Sequence, residues 1–429
     1  MEIQVPEKVK TIIGTLLQHG HEAYAVGGCV RDALLGREAD DWDITTSAAP
    51  QEVKALFRRT IDTGIQHGTV TVMLDKEGFE VTTYRIDGEY EDGRHPKEVL
   101  FTKNLEEDLK RRDFTINAMA YNEQSNLVDI FGGVEDLGNK IIRCVGAAGE
   151  RFDEDALRIM RAFRFSAQLG FSIEENTRIA AAERAENLKK ISAERIRTEL
   201  TKLLLSDHPG RLRWMQENGI TKVVLPEFDK MLVTEQTDGA FSYNVGEHTL
   251  QVIAYVGNRD KQWEKKELQI LRYAALLHEA ETPKKVMQRL KFDNETIDYV
   301  TRLTAAHDEY LDLCEDHLKN LTAMRKLMYR LGTDLMELLW ELQLADSLAG
   351  NPEKLKEKCN TLAETKRLYQ EVMERGDCVS LKQLAVNGKD LIAMGITPGK
   401  QIGEHLERFL QEVLEHPEKN TKEYLLSLL

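Results

Sequence analysis

The chain lacks several features that would place it in a narrow class. Its five cysteines (Cys29, Cys144, Cys314, Cys359 and Cys378) are scattered and form no Cys-x-x-Cys pair. That excludes a disulfide framework and a thiolate zinc site, and it suits the reduced thiols of a cytoplasmic protein. No apolar run approaches the ~18 residues that a membrane span needs. The opening MEIQVPEKVK has no basic stretch followed by an apolar core, so no secretion signal is expected. Positive charge is also short: 58 Lys and Arg against 73 Asp and Glu leave a net charge of −15. This argues against a protein that coats nucleic acid, but a local basic cleft remains possible because phosphate contacts depend on where the cations sit. Internal repeats, low-complexity segments and strand signals beyond about Glu135 are missing too. With 31% charged residues and a mean hydropathy of −0.44, the 429 residues read as two to four soluble, helix-rich domains.

What is present is concentrated in AYAVGGCVRDALLGREADDWDITT, residues 23–46. It reads as a short apolar strand (Tyr24 to Val26), a turn at Gly27 and Gly28, a short helix, and a second strand carrying Asp41 and Asp43. Alternation along that strand would put both carboxylates on one face, where they repel unless a cation lies between them. Mg²⁺ is the economical choice, because it takes oxygen ligands and keeps positions for water and phosphate. The glycine pair allows close backbone approach, and the helix start after it favours an anion. A metal site beside a phosphate cradle, with Arg31 between them, is the minimum for moving a nucleotidyl group. Either half alone is commonly a plain turn or a solvated strand face.

The rest of the first third supports a small mixed sheet. Residues 7–19 have helical spacing, Pro50 to Phe57 is a short helix, and Ile61 to Arg85 is rich in strand signals with a tight turn at Lys76-Glu77-Gly78. The resulting hairpin makes Glu80 a candidate third carboxylate near the aspartate strand. Residues 86–98 read as a mobile loop, since they are rich in glycine and charge and have no apolar period.

GGCVRDALLG and DDWDI, followed in order by RRDFTINAMAY (111–121), DIFGG (129–133), EDALRIMRAFRFSAQLGF (154–171) and ERIRTEL (194–200), resemble the motifs of the tRNA nucleotidyltransferase and bacterial poly(A) polymerase family. The resemblance implies an α+β, polymerase-β-like head over residues 1–148 and a helical neck over 149–215. A helical body over 216–345 and a tRNA-binding tail over 346–429 would follow. It implies Asp41, Asp43 and Glu80 as catalytic carboxylates, the first two holding Mg²⁺. Gly27, Gly28, Arg31 and Arg112 would hold a triphosphate, Asp113 would accept a ribose hydroxyl, and Asn117 would support the same site. The nucleotide-binding set continues through Glu154, Asp155, Arg158, Arg161 and Arg164. The family's flexible loop falls at 86–98 and is needed for the change from C to A addition. The partners implied are CTP, ATP and the 3′ end and elbow of tRNA, with neither DNA nor membrane. Homodimer formation stays open.

Chemistry supports the template role of Asp155 and Arg158. The Watson–Crick edges of C and A each pair an amino donor with a ring-nitrogen acceptor, whereas G and U offer a carbonyl beside an N–H. A carboxylate accepts from the amino group and a guanidinium donates to the ring nitrogen, so one Asp/Arg pair accepts C and A and rejects G and U. Read as one helix from Glu154 to Gly170, the segment puts Asp155 and Arg158 on a shared face, while Arg164 lies half a turn round and reaches phosphate or RNA. ERIRTEL would buttress that helix.

Further on, Asp229 to Phe241 reads as a loop. His248, His278-Glu279 and His307-Asp308 invite comparison with His-Asp phosphohydrolases, but the Glu279 departure leaves helix packing as the default for these histidines. LAVNGKDL (384–391) and TPGKQIGEHL (397–406) suggest a helix-turn-helix end. The reading is an enzyme that adds C, C and A to tRNA without a template. The alternatives are an A-adding enzyme with a CC-adding partner, a poly(A) polymerase, a phosphohydrolase and an inactive tRNA-binding chaperone.

Overall fold

Val9, Ile12, Ile13 and Leu16 recur at helical spacing and form the buried stripe of α1 (Glu7–Gln18), which stops before Gly20 turns left-handed at φ 81°. The computed structural model describes residues 3–39, 41–88, 99–238, 241–257 and 261–429. They form two compact units, 1–229 and 230–429.

The first unit opens with β1 (Ala23–Val26), buried at every position because both faces are covered. α2 (Gly28–Leu34), β2 (Ile44–Thr46) and α3 (Pro50–Leu56) follow. The strand-rich stretch becomes β3 (Thr60–Gly64), β4 (Thr69–Leu74) and β5 (Glu77–Thr83). Its tight turn falls at Asp75-Lys76, both at positive φ, one residue earlier than the sequence suggests. β6 (Arg85–Asp87) pairs with β7 (Val99–Phe101), so the start of the expected 86–98 loop is strand. Residues 89–98 of that loop lie outside the described residues. α4 (Leu105–Lys110), β8 (Met119–Asn122) and β9 (Asn126–Asp129) complete a seven-stranded sheet of order β3-β4-β5-β2-β1-β8-β9. β2 runs parallel to β5 and antiparallel to β1, so the sheet is mixed, as expected of a polymerase-β-like head. Tyr24, Val26, Tyr84, Leu109 and Ala120 pack into one core beneath it.

After α5 (Gly133–Asn139) come α6 (Ala148–Glu154) and α7 (Leu157–Leu169). The expected single helix from Glu154 is therefore two. Asp155 is extended (φ −141°, ψ 103°), and its carboxylate accepts from the backbone N–H of Leu157 at 3.0 Å, which favours a helix start over continuation. α8 (Glu175–Glu183) and α9 (Ala193–Leu204) follow, and α9 packs along α7.

In the second unit, the expected loop at 229–241 includes strand Glu235–Asp238, which pairs with Phe241–Asn244. Helices Val245–Tyr255, Lys265–Leu277, Asn294–Ala306 and Met336–Ala349 pack on one another. The tail buries Leu391, Phe409, Leu410, Val413 and Leu425 together. No helix among the described residues is long and apolar enough to cross a membrane.

Candidate active site

Strand register places the acidic cluster. Ile44 on β2 lies opposite Val81 on β5, so one residue back on each strand brings Asp43 beside Glu80. The Asp43 carbonyl also accepts from Val26 N at 3.0 Å, which ties the segment to β1. The strand itself starts at Ile44, so Asp41 and Asp43 stand in the lead-in to it rather than within it as expected. All three carboxylates are exposed. The Asp43 carboxyl is pushed up by its partly enclosed position, pulled down by Arg112 and pushed up again by Asp41. Glu80 is raised by enclosure and then by Asp43 and Asp41. Asp43 thus feels Asp41, and Glu80 feels both aspartates. Among the described residues none of the three is ion-paired with a protein cation. Their oxygens are not drawn within 4.8 Å of one another. An open, all-oxygen set is the donor chemistry of a hard divalent ion that keeps water and substrate oxygens in its shell.

Gly27 has φ 84°, and a Cβ there would lie 3.1 Å from Arg112 Nη1, so the turn needs glycine both for its backbone and for the arginine's approach. Gly28 opens α2. Arg112 is steadied by Asp108, whose Oδ2 accepts from Nη2 at 3.3 Å, while its buried Nε has no hydrogen-bond partner. Asp108 is fully buried. Burial pushes its carboxyl up, and Arg111 and Arg112 more than reverse this, leaving it below the usual range.

Arg31, Asp113 and Asn117 are brought together, but mainly with one another. Arg31 Nη1 donates to Asn117 Oδ1 at 2.7 Å, and Nε and Nη2 donate to Asp32. Asn117 Nδ2 donates to Asp113 Oδ1 at 3.0 Å, and Arg161 Nε donates to Asp113 Oδ2 at 2.7 Å. Burial would raise Asp113, but Arg161 and Asn117 outweigh it and hold the carboxyl down at about 2. This chain, Asp32–Arg31–Asn117–Asp113–Arg161, braces α2 against α7 beneath the turn. Gly133 lets α5 press against the carbonyl of Thr115, next to Asn117.

At the neck, Asp155 Oδ2 accepts from Arg195 Nη2 at 2.7 Å. Arg158 Nη1 donates to Glu154 Oε2 at 2.5 Å and Nη2 to the Arg111 carbonyl at 2.9 Å. Asp155 and Arg158 thus sit one turn apart at the start of α7 with different anchors. Arg164 is buried: Nε faces Glu199 Oε2 at 2.6 Å, and its guanidinium lies 3.7 Å over the Phe165 ring. Burial pulls Arg164 down to about 10 against the pull of Glu199. Arg195 and Glu199 both belong to α9, so ERIRTEL does brace the neck helix. Sequence reasoning missed Asp108, Arg195 and Glu199 as partners. The i,i+3 and i,i+4 spacing of Asp108 to Arg111 and Arg112 was the available signal. Nothing local marks Arg195 or Glu199, whose partners are 40 and 35 residues away.

A mixed sheet with an acidic cluster at the head of β2, a Gly-Gly turn beside it and a helical neck defines a nucleotidyltransferase of the polymerase-β-like class. Residues 23–143 match the family model "Poly A polymerase head domain", residues 170–232 "Probable RNA and SrmB- binding site of polymerase A", and residues 261–429 a tRNA nucleotidyltransferase domain 2. The CCA-adding enzyme of Enterococcus faecalis is 36% identical over 420 residues, covering 97% of this chain and 93% of that protein. That of Lactiplantibacillus plantarum is 36% identical over 429 residues, 98% and 95% of the two chains. The Bacillus stearothermophilus CCA-adding enzyme, solved in complex with CTP, superposes with a TM-score of 0.72 at 31% identity over 99% of this chain and 98% of that one. The chain belongs to the CCA-adding enzyme family of tRNA nucleotidyltransferases.

Proposed function

We propose that this chain builds C, C and A onto the 3′ end of tRNA from CTP and ATP without a nucleic-acid template, in the cytoplasm. The observation that carries the reading is the strand register that sets Asp43 beside Glu80, with Asp41 in the same lead-in to β2 and no protein cation ion-paired to any of the three among the described residues. Full-length similarity to CCA-adding enzymes supports the choice of substrate.

Asp41 and Asp43 would hold Mg²⁺, which supplies a lowered pKa for the attacking hydroxyl and charge neutralisation at the α-phosphate. In the reaction the tRNA 3′-hydroxyl oxygen forms a bond to the α-phosphorus, the bond to the bridging oxygen breaks, and pyrophosphate leaves with the electron pair. Arg112 brings Nη1 up to the Gly27 turn and acts on Asp43, so it suits a triphosphate oxygen. Gly27 and Gly28 keep the turn open for it. Arg31, Asn117, Asp113 and Arg161 act through the brace that fixes the neck helix against the turn, and Arg164 acts through its pair with Glu199. Asp155 uses one acceptor site on each oxygen, and an ionised carboxylate offers about four in all, so it can still accept from the amino group of C or A. Arg158, held by Glu154, donates to the ring nitrogen. The tail would hold the tRNA elbow.

The test supplies Mg²⁺ and each NTP, singly and together, to tRNAs lacking CCA, ending in C, or ending in CC. Growth by three supports full CCA addition. Growth by one, only on tRNA ending in CC, points to an A-adding enzyme, and unlimited growth to a poly(A) polymerase. No growth overturns the reading.

A further inference from the structure

The second unit carries a polar cluster that nucleotidyl transfer does not use. Against the default of separate helix-packing histidines, His248, His278 and Asp346 converge from three helices. The histidines are each 4% exposed and Asp346 is 9% exposed. One ligand atom from each lies within 4.8 Å of the other two, the one such trio among the described residues.

Hydrogen bonding fixes where the lone pairs are. His278 Nδ1 is 2.8 Å from the Ala275 carbonyl, which can only accept, so Nδ1 carries the proton. Nε2 therefore presents a bare lone pair, buried and without a hydrogen-bond partner. It faces Asp346 Oδ1 at 3.8 Å. Asp346 Oδ1 already serves as the acceptor for His248 Nε2 at 3.0 Å. Two buried acceptors confront each other with no proton between them, which is unfavourable until a cation enters. His248 supplies the third donor: Nε2 is 3.0 Å from the same Oδ1, and Nδ1 is buried and unpartnered. Lys358 Nζ, 3.4 Å from Oδ2, orients the carboxylate from behind.

We propose that His248, His278 and Asp346 bind one divalent transition-metal ion of the imidazole-preferring kind, such as Zn²⁺ or Fe²⁺. Neighbouring ligands around a tetrahedral Zn²⁺ lie ~3.4 Å apart, so closing the 3.8 Å gap needs a shift of a few tenths of an ångström. His248 takes its other tautomer, the proton passing from Nε2 to Nδ1, and no net charge is lost. Three protein ligands leave a position for water or a substrate oxygen. The nitrogen donors select against Mg²⁺, the hard ion that the exposed carboxylates of the head would take.

Full-length protein stripped with a chelator is equilibrated with Zn²⁺ in excess Mg²⁺, desalted, and its metal content measured. Roughly one tightly held Zn²⁺ per chain is expected. Asp346→Asn and His248→Gln should each weaken retention by ~10-fold or more, with CCA addition and the circular dichroism spectrum unchanged. Equal retention by wild type and both variants, or none by wild type, overturns the proposal. Should both variants unfold, Co²⁺ added to wild type decides. Visible bands of a nitrogen- and oxygen-ligated ion without thiolate charge transfer support the site, and thiolate bands or no bands refute it.

Discussion

In the head, Asp43 and Glu80 stand open to solvent and yet are pushed above the usual carboxylate range, whereas in the second unit Asp346 is nearly buried and is held down at about 2. Enclosure pushes all three carboxyls up; the neighbours add to that push in the head and overturn it at Asp346. Asp43 and Glu80 look at other carboxylates, with Arg112 as the counterweight to Asp43, while Asp346 looks at His248, His278 and Lys358. Oxygen-only crowding at an open site calls for a hard ion that arrives with substrate. Nitrogen and oxygen crowding at a closed site is partly satisfied by protons and calls for a softer one. Two clusters in one chain thus differ in donor type, access and resting charge.

The sharpest way to break the comparison is to remove the charge the head cluster shares. Asp43→Asn keeps the shape and one acceptor but cannot hold a hard cation with a neighbouring aspartate. We expect a loss of ~10³-fold or more in the single-turnover rate of both C and A addition, and Asp41→Ala should do the same. Incorporation of labelled nucleotide into tRNA lacking CCA reads it directly. Near-normal rates would mean that the exposed carboxylates await no cation.

Arg164 and Glu199 supply a third case, a buried ion pair with Nε and Oε2 2.6 Å apart. Glu199→Gln leaves the guanidinium buried with Gln168 as its remaining acceptor. Removing one partner of such a pair costs ~3–5 kcal/mol, and chemical denaturation of the head should show it. Replacing both by apolar residues of similar volume should recover most of that. If the single variant is neutral, water reaches the pair and burial is not setting the charge balance here either.

A smaller effect is expected from Arg158→Ala. The variant should lower the preference for C and A over G and U by ~10–100-fold, with less change in triphosphate binding, since what it loses is discrimination between base edges. Competition between CTP and UTP on one tRNA measures it. Unchanged preference would move base choice away from the Asp155/Arg158 start of α7.

How much of this could be read in advance follows the range of the interactions. The Gly27–Gly28 turn, the stripe of α1 and the hairpin bearing Glu80 depend on neighbours a few residues away, and each was legible. The break at Asp155 was not, because helix stands on both sides of it and only the side chain's bond to Leu157 N marks the restart. His248 lies 30 residues before His278 and Asp346 lies 68 residues after it, in no periodic relation, so only tertiary packing could show that the three meet.

The smallest expected effect concerns pH. Asp43 and Glu80 have native pKa values above their unfolded ones, so between those values the native head binds more protons than the unfolded chain. Stability therefore falls as pH rises through that window and stays lower above it. Asp43→Asn removes the repulsion, so in chelator the inactive variant should be the more stable protein near pH ~7, by at most ~1 kcal/mol, since both groups are exposed and screened. In a domain of this size that is roughly 2–4 °C in melting temperature. The advantage should shrink as pH falls through the raised native pKa of Asp43, below which wild type is protonated as well, and Mg²⁺ at neutral pH should stabilise wild type and not the variant. A variant less stable than wild type at neutral pH without metal would mean that Arg112, the one cation acting on Asp43, outweighs the neighbouring carboxylates, and the contrast between head and body would reduce to donor type alone.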